Sequence, residues 1–110
     1  MLNRHYTYKV AWSSEDGEYM ATCLEFPSLS WLDEDEVEAM RGIRNLVAET
    51  VRDMIVNGED VPEPIMDRNY SGQFIVRTTP DMHRRLVLEA AEAKVSLNRY
   101  VNSKLAAGDR

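Results

Sequence analysis

The sequence predicts an α+β protein made of two modules that differ in structure and in charge. Its first 60 residues alternate apolar and polar side chains with a period of two and then change to a helical period, which is typical of a small sheet covered by one helix. An acidic, proline-containing stretch follows, and the last third of the chain has the order strand, helix, helix. The chain has 110 residues, enough for one average domain or two very small ones.

Two strands joined by a turn begin the first module. The first strand alternates its side chains as a half-buried strand does, with its apolar residues at Tyr6, Tyr8, Val10 and Trp12. Residues 13–17 carry turn chemistry, and Gly17 suits a positive φ. Residues 18–24 predict the second strand of a hairpin, and residues 29–32 are short enough to be a third strand or its remnant.

A long amphipathic helix completes this module. Its apolar stripe recurs at steps of three and four, at Val37, Met40, Ile43, Val47, Val51, Met54 and Ile55. The acidic residues 33–36 lie where the helix begins, so we interpret them mainly as a solvated cap, with a partner contact as the alternative. Asn57 and Gly58 mark the end of the helix. Trp12 and Trp31 are either core residues or partner-facing aromatics.

The stretch 61–71 contains Pro62 and Pro64 and few apolar residues, and it predicts a linker or an irregular connection. Residues 72–79 predict a short strand. Thr79 and Ser96 are typical N-cap residues, so each predicts the start of a helix. The two helical stripes lie at Met82, Leu86, Ala90 and Ala93 and at Leu97, Tyr100, Val101 and Leu105, and Gly108 ends the second helix.

This second module is too small to bury a core alone, because chains below about 40 residues usually need disulfides, a metal or association. We therefore expect its strand to pair with that of a second copy, giving a two-stranded antiparallel ribbon over four helices. Phe74 and Val76 would face the helices, while Gln73, Ile75 and Arg77 would point outward. Such a ribbon fits the DNA major groove, although Arg77 could also be a solvated edge charge.

Taken as one number, the net charge of −6 argues against a general nucleic-acid-binding protein, but the charge is divided unequally between the two modules. Residues 1–67 hold 15 acids and 5 bases, a charge of −10, whereas residues 68–110 hold 4 acids and 8 bases, a charge of +4. The two modules are therefore expected to face different partners.

The sequence resembles a known family, the HicB-type antitoxins of type II toxin-antitoxin systems. Residues 72–77 (Gly-Gln-Phe-Ile-Val-Arg), Thr79 with Pro80, His83 and residues 96–101 (Ser-Leu-Asn-Arg-Tyr-Val) resemble the C-terminal ribbon-helix-helix domain of that family. The first half is similar to its partial RNase H-like domain. The matching stretches there are Tyr8-Lys9-Val10, Glu15-Asp16-Gly17, Tyr19-x-Ala21, Phe26-Pro27-Ser28-Leu29 and Glu38-Ala39, with Ser28 where the family often has glycine.

The resemblance implies three segments: a toxin-neutralising domain over 1–60, a linker over 61–71 and a DNA-binding domain over 72–110. It implies that Gln73, Ile75 and Arg77 read operator bases and that the amides of Ser96 and Leu97 hold a backbone phosphate. It further implies a transcriptional autorepressor that binds operator DNA, neutralises a HicA-type mRNA-cleaving toxin and forms a homodimer through the C-terminal strand, possibly a higher oligomer.

The alternative is a stand-alone ribbon-helix-helix regulator whose first module senses a ligand or mediates assembly. We expect no enzyme, since the first strand lacks the carboxylates that metal-dependent phosphoryl chemistry needs. We also expect no metal and no cofactor. Cys23 suits a small buried residue better than a nucleophile, and His83 suits a surface or phosphate-facing position. No apolar segment is long enough for a signal or a membrane span, so the expected location is the cytoplasm.

Overall fold

A three-stranded antiparallel sheet with one helix packed on it forms the first unit of the structure. The structure is a computed structural model that describes residues 5–108, so the outermost ends of the two predicted modules, residues 1–4 and 109–110, lie outside the described residues. The strands are β1 (Tyr8–Ser13), β2 (Glu18–Cys23) and β3 (Ser30–Asp33), in the spatial order β1-β2-β3. The predicted hairpin and third strand are therefore confirmed.

The register of the strands decides which face of the sheet is covered. Val10 pairs with Ala21, and Tyr8 pairs with Cys23. Because Ala21 and Cys23 are buried, the face that carries these four residues is the inner one. Alternate residues along each strand point to the opposite face. The predicted burial of Cys23 is thus confirmed, and burial raises the pKa of its thiol.

The helix that covers this face is α1 (Glu36–Val56). It begins as the acidic cluster predicted, because the side chain of Asp35 accepts hydrogen bonds from the amides of Val37 at 2.8 Å and Glu38 at 3.1 Å. It ends at Asn57, followed by Gly58 with a φ of +71°. The cap interpretation of Asp35 is confirmed.

The core of the first unit lies between α1 and the inner face of the sheet. Its buried members are Tyr6, Ala21, Cys23, Phe26, Ala39, Ile43, Val47 and Val51. Two residues of the predicted stripe are not in it, since Val37 and Ile55 are exposed. Six-residue strands span about 20 Å, whereas a 21-residue helix spans about 31 Å, so both helix ends extend beyond the sheet.

The two tryptophans, left open by the sequence, have different environments. The indole of Trp31 lies so close to Gly42 in α1 that a Cβ at residue 42 would overlap it. Trp12 is 56% exposed and contacts Tyr19 edge to face, with 5.2 Å between ring centroids. Trp31 is thus a packing residue at the helix–sheet contact, whereas Trp12 lies at the surface.

The stretch predicted as a linker or an irregular connection is irregular apart from one 3-10 turn, and its first half packs on the first unit. Pro64 is fully buried, and the hydroxyl of Tyr6 donates to the carbonyl of Pro62 at 2.6 Å. The amide of Ile65, at the start of a 3-10 turn (Ile65–Asp67), donates to the carboxylate of Glu25 at 2.9 Å. The division between the two compact units falls between Ser71 and Gly72.

Glu25 is the buried acid that holds this stretch in place. Besides the amide of Ile65, it accepts hydrogen bonds from the amide of Thr7 at 2.9 Å and the hydroxyl of Thr7 at 3.1 Å. Burial raises the pKa of Glu25, but the hydrogen bonds from Ile65 and Thr7 outweigh it and bring the pKa down to about 2. The carboxylate is therefore charged at neutral pH, and its neighbours are suited to that charge.

The second unit contains two helices, α2 (Pro80–Glu92) and α3 (Leu97–Ala107). Both predicted N-caps are confirmed: the hydroxyl of Thr79 accepts from Met82 at 3.1 Å, and that of Ser96 accepts from Arg99 at 3.0 Å. Lys94 occupies the turn between the helices with a φ of +60°, a conformation that favours glycine.

Replacing Glu25 with glutamine is expected to destabilise the first unit by about 2 kcal/mol, because an amide cannot accept from all three donors. Since folding lowers the pKa of Glu25, its contribution is present above pH 5 and is lost as the pH falls toward 2. Urea unfolding of the wild type and of E25Q between pH 2 and pH 7 measures both effects. The Thr7→Val variant removes only the hydroxyl donor and should cost less. Parallel pH profiles for wild type and E25Q would contradict the role of this carboxylate.

Gly42→Ala is expected to destabilise the first unit even though alanine is the better helix former, because the added methyl group overlaps the indole of Trp31. We expect a loss of about 1–3 kcal/mol in thermal or urea unfolding. The double variant with Trp31→Ala should recover part of that loss. A G42A protein as stable as the wild type would show that the indole does not constrain residue 42.

Candidate DNA interface and partner-binding surfaces

The residues predicted to read DNA bases lie in the segment that leads into α2. Residues 72–79 contain no helix or strand within the single chain. The predicted strand is therefore not observed, for a physical reason: strand pairing needs a second strand, and the expected one belongs to another copy. Gln73, Ile75 and Arg77 are exposed, and Ile75 shows 90% of its surface.

The apolar residues of the same segment are also exposed. Phe74 is 75% and Val76 is 71% accessible, although the alternation assigns them to the inner face of a ribbon. Among the described residues of the second unit, Ala90 is the one buried hydrophobic side chain. The two helices and the unpaired segment 72–79 thus leave apolar side chains such as Phe74 and Val76 exposed to water. Such exposure is expected of a fold that is completed by association.

The predicted phosphate contact lies at the start of α3. Ser96 is the N-cap and Leu97 is the first helical residue. The hydroxyl of Ser96 already accepts from the amide of Arg99, so the first amides of the helix are the groups suited to an anion. Tyr100 holds α3 against α2, because its hydroxyl donates to the carboxylate of Glu89 at 2.6 Å, and this hydrogen bond raises the pKa of Tyr100.

The basic side chains among the described residues of the second unit are exposed. They are Arg77, Arg84, Arg85, Lys94, Arg99 and Lys104. Arg84 pairs with Asp81 at 3.0 Å on the surface of α2, an exposed pair that contributes little to stability. The unit therefore presents positive charge to solvent, as an electrostatic contact with phosphate requires.

The first unit presents the opposite charge at one end of its sheet. Residues 14–40 contain nine acids and no lysine or arginine. The register places Glu18 beside Ser13 and Asp33 beside Tyr19, so the β1–β2 turn and the end of β3 meet at the same end of the sheet. Glu15, Asp16 and Glu34 are exposed there. We call the surface formed by these three residues the acidic end.

An apolar row crosses the outer face of the sheet next to the acidic end. Ala11 pairs with Met20, and Met20 pairs with Leu32, so these three side chains lie side by side on the face opposite α1. Met20 is 38% and Leu32 is 42% accessible. Sequence reasoning missed this row, because only the register shows that three short strands align these residues.

The described residues offer no arrangement for metal chemistry. Within residues 5–108, no group of three or more His, Cys, Asp or Glu side chains could hold a metal ion. No helix in that range is both long and apolar enough to cross a membrane. His83 is exposed near the start of α2.

Comparison with known proteins supports the resemblance carried by the second half of the chain. Residues 56–105 match the model of the HicB family. The match covers just under half of the 110 residues and includes the segment 72–79, α2 and most of α3. It supports a similarity to HicB-type antitoxins in general. No curated protein and no solved structure matches the chain.

Proposed function

We propose that this protein is an antitoxin that neutralises a HicA-type mRNA-cleaving toxin through its first unit and represses its own operon through its second unit. The observation that carries the proposal is the HicB family match over residues 56–105. In this proposal the chain is not an enzyme, it acts in the cytoplasm, and it belongs to a type II system. The partial RNase H-like and ribbon-helix-helix assignments are part of the same proposal.

Charge supports the assignment of the toxin to the first unit. A protein that binds RNA needs a basic surface, and the acidic end would attract such a surface and compete with RNA phosphates for it. The neighbouring apolar row of Met20 and Leu32 supplies area that a bound partner can bury. The two features are adjacent, so a single partner can contact them together.

Incomplete packing supports the assignment of operator DNA to the second unit. Two copies that pair through residues 73–77 would cover Phe74 and Val76 and present Gln73, Ile75 and Arg77 on the outer side of the ribbon. Arginine pairs with guanine and glutamine with adenine in the major groove. The first amides of α3, at Ser96 and Leu97, would hold a backbone phosphate on each side of the ribbon.

Toxin binding is tested by calorimetric titration with a HicA-type toxin encoded beside this chain. The double variant Glu15→Lys with Glu34→Lys should weaken binding by about tenfold, and the difference should shrink as salt is added. The matched control, Glu49→Lys with Glu59→Lys, makes the same charge change outside the acidic end and should bind nearly as the wild type does. Equal losses in both variants would contradict the acidic end as the binding surface. A wild type that binds operator DNA but no toxin would favour the stand-alone regulator.

Operator binding is tested by fluorescence anisotropy with the DNA upstream of the chain's own reading frame. Gln73→Ala with Arg77→Ala should lower affinity by about tenfold or more while toxin binding is kept. Arg52→Ala removes an exposed arginine from the first unit and serves as the control. Unchanged operator affinity in the double variant would refute the assigned reading face.

A further inference from the structure

Helix α1 ends at the chain's one Asn-Gly pair, Asn57 with Gly58. Asparagine is a chemically labile residue, because its carboxamide can react with the backbone nitrogen of the residue that follows it. A side chain on that following residue hinders the approach, whereas glycine has no Cβ and leaves the nitrogen accessible. The chain's other five asparagines precede larger residues, namely Arg4, Leu46, Tyr70, Arg99 and Ser103. Asn57 is therefore the asparagine best suited to this reaction.

The surroundings of this pair leave room for the reaction. Both residues are exposed, and apart from its chain neighbours no heavy atom lies within 4 Å of the place that a Cβ on Gly58 would occupy. Among residues 5–108 the carboxamide of Asn57 has no hydrogen-bond partner, whereas that of Asn102 donates to the carbonyl of Asn98 at 2.8 Å. The Asn57 side chain is thus free to rotate toward the amide of Gly58.

The amide of Gly58, which is the nucleophile, is weakly held. It donates to the carbonyl of Ile55 at 3.2 Å, whereas the amides on either side of it donate at 3.0 Å and 2.8 Å, to the carbonyls of Asp53 and Met54. Attack on the carboxamide requires the ψ of Asn57 to leave its value of 3°. The last turn of a helix opens at little cost in free energy, so this rotation is accessible.

We propose that Asn57 is a site of spontaneous deamidation, with water as the second reactant. The backbone nitrogen of Gly58 forms a bond to Cγ of Asn57, and the Cγ–Nδ2 bond breaks. The proton of the Gly58 amide leaves with the amino group as ammonia, and a cyclic imide remains. Water then opens the imide, which yields aspartate when the bond from nitrogen to Cγ breaks and isoaspartate when the bond from nitrogen to the main-chain carbonyl carbon breaks. No oxidant or reductant is consumed.

Both products place a new carboxylate where negative charge is unfavourable. The C-terminal end of a helix carries a partial negative charge, and the last turn of α1 has no basic residue to offset it. Asp53, Glu59 and Asp60 are already close in sequence. Because Asn57 is neutral before the reaction, deamidation converts a compatible cap residue into one that destabilises the end of α1.

Isoaspartate also changes the main chain, because it adds one carbon to it at residue 57. The amide of Glu59 donates to the carbonyl of Met54 at 2.8 Å, and residues 61–67 pack on the first unit directly afterwards. A longer main chain shifts these groups relative to α1. Deamidation therefore loosens the stretch that Glu25 holds on the first unit, and it does so with time and without an enzyme. The change is independent of toxin and DNA binding.

Mass spectrometry of tryptic peptides tests the site after incubation of the full chain between pH 6 and pH 9. Trypsin separates Asn57, in peptide 53–68, from Asn69, in peptide 69–77, and Asn69 is a matched control because it is also exposed and outside the helices. Conversion of Asn57 should be at least about tenfold faster than that of Asn69. It should also accelerate with pH, because the amide nitrogen attacks in its deprotonated form. An isoaspartyl methyltransferase identifies the isoaspartate. Equal rates at the two asparagines would overturn the proposal.

Hydrogen exchange at the amide of Ile65, which donates to Glu25, tests the consequence. Asn57→Gln is the matched control, since it keeps the neutral charge and Gly58 but its longer side chain forms a cyclic imide much more slowly. Exchange at Ile65 should become about threefold faster as wild type ages and stay unchanged in Asn57→Gln. Asn57→Asp, which carries the charge from the start, should reproduce part of the change. Wild type that is fully converted at Asn57 yet protects Ile65 as well as fresh protein does would contradict the loosening, and so would an equal change in Asn57→Gln.

Discussion

The constraint on which the second half of this molecule depends is the lack of a core within one chain. Residues 72–108 form two capped helices that contact each other, yet their one buried hydrophobic side chain is Ala90. Ordering this many residues costs more free energy than one buried methyl group, a few half-buried side chains and the Tyr100–Glu89 hydrogen bond provide. In the proposed function a second copy would supply the missing apolar contacts, and the same pairing would create the ribbon that faces DNA. Stability and DNA recognition are thus linked in the proposed function.

The first half of the molecule, in contrast, has a hydrophobic core within one chain. Its sheet and helix bury eight hydrophobic residues, and the charged carboxylate of Glu25 joins the start of β1 to the 3-10 turn. A unit with its own core can leave surfaces open. Two such surfaces have different chemistry: the acidic end and the apolar row beside it.

The fold was predictable wherever a local signal decided it. The hairpin follows from alternation and Gly17, and all three helices begin where the sequence indicates: within the acidic residues 33–36, at Thr79 and at Ser96. The features that composition and periodicity do not indicate have tertiary causes. Residues 61–67 have the composition of a linker or an irregular connection, and the hydrogen bond from the amide of Ile65 to Glu25, 40 residues away in sequence, holds them on the first unit. Val37 and Ile55 continue the helical stripe, but the strands are too short to cover them.

Some of the candidate site residues could be predicted from the sequence, and others could not. The base-reading positions Gln73, Ile75 and Arg77 could be predicted from alternation and family resemblance, and they remain predictions, because the pairing that would order them involves a second chain. The apolar row could not be predicted. It depends on the strand register, which sequence patterns alone leave open by one or two residues.

Hydrogen exchange at the amides of residues 73–77, followed over a range of protein concentrations, tests the central claim most directly. If a second copy completes the fold, these amides are protected at high concentration and lose protection on dilution, together with α2 and α3, while β1–β3 stay protected. Exchange of residues 73–77 that is fast at every concentration would contradict the account, because the ribbon would then not form.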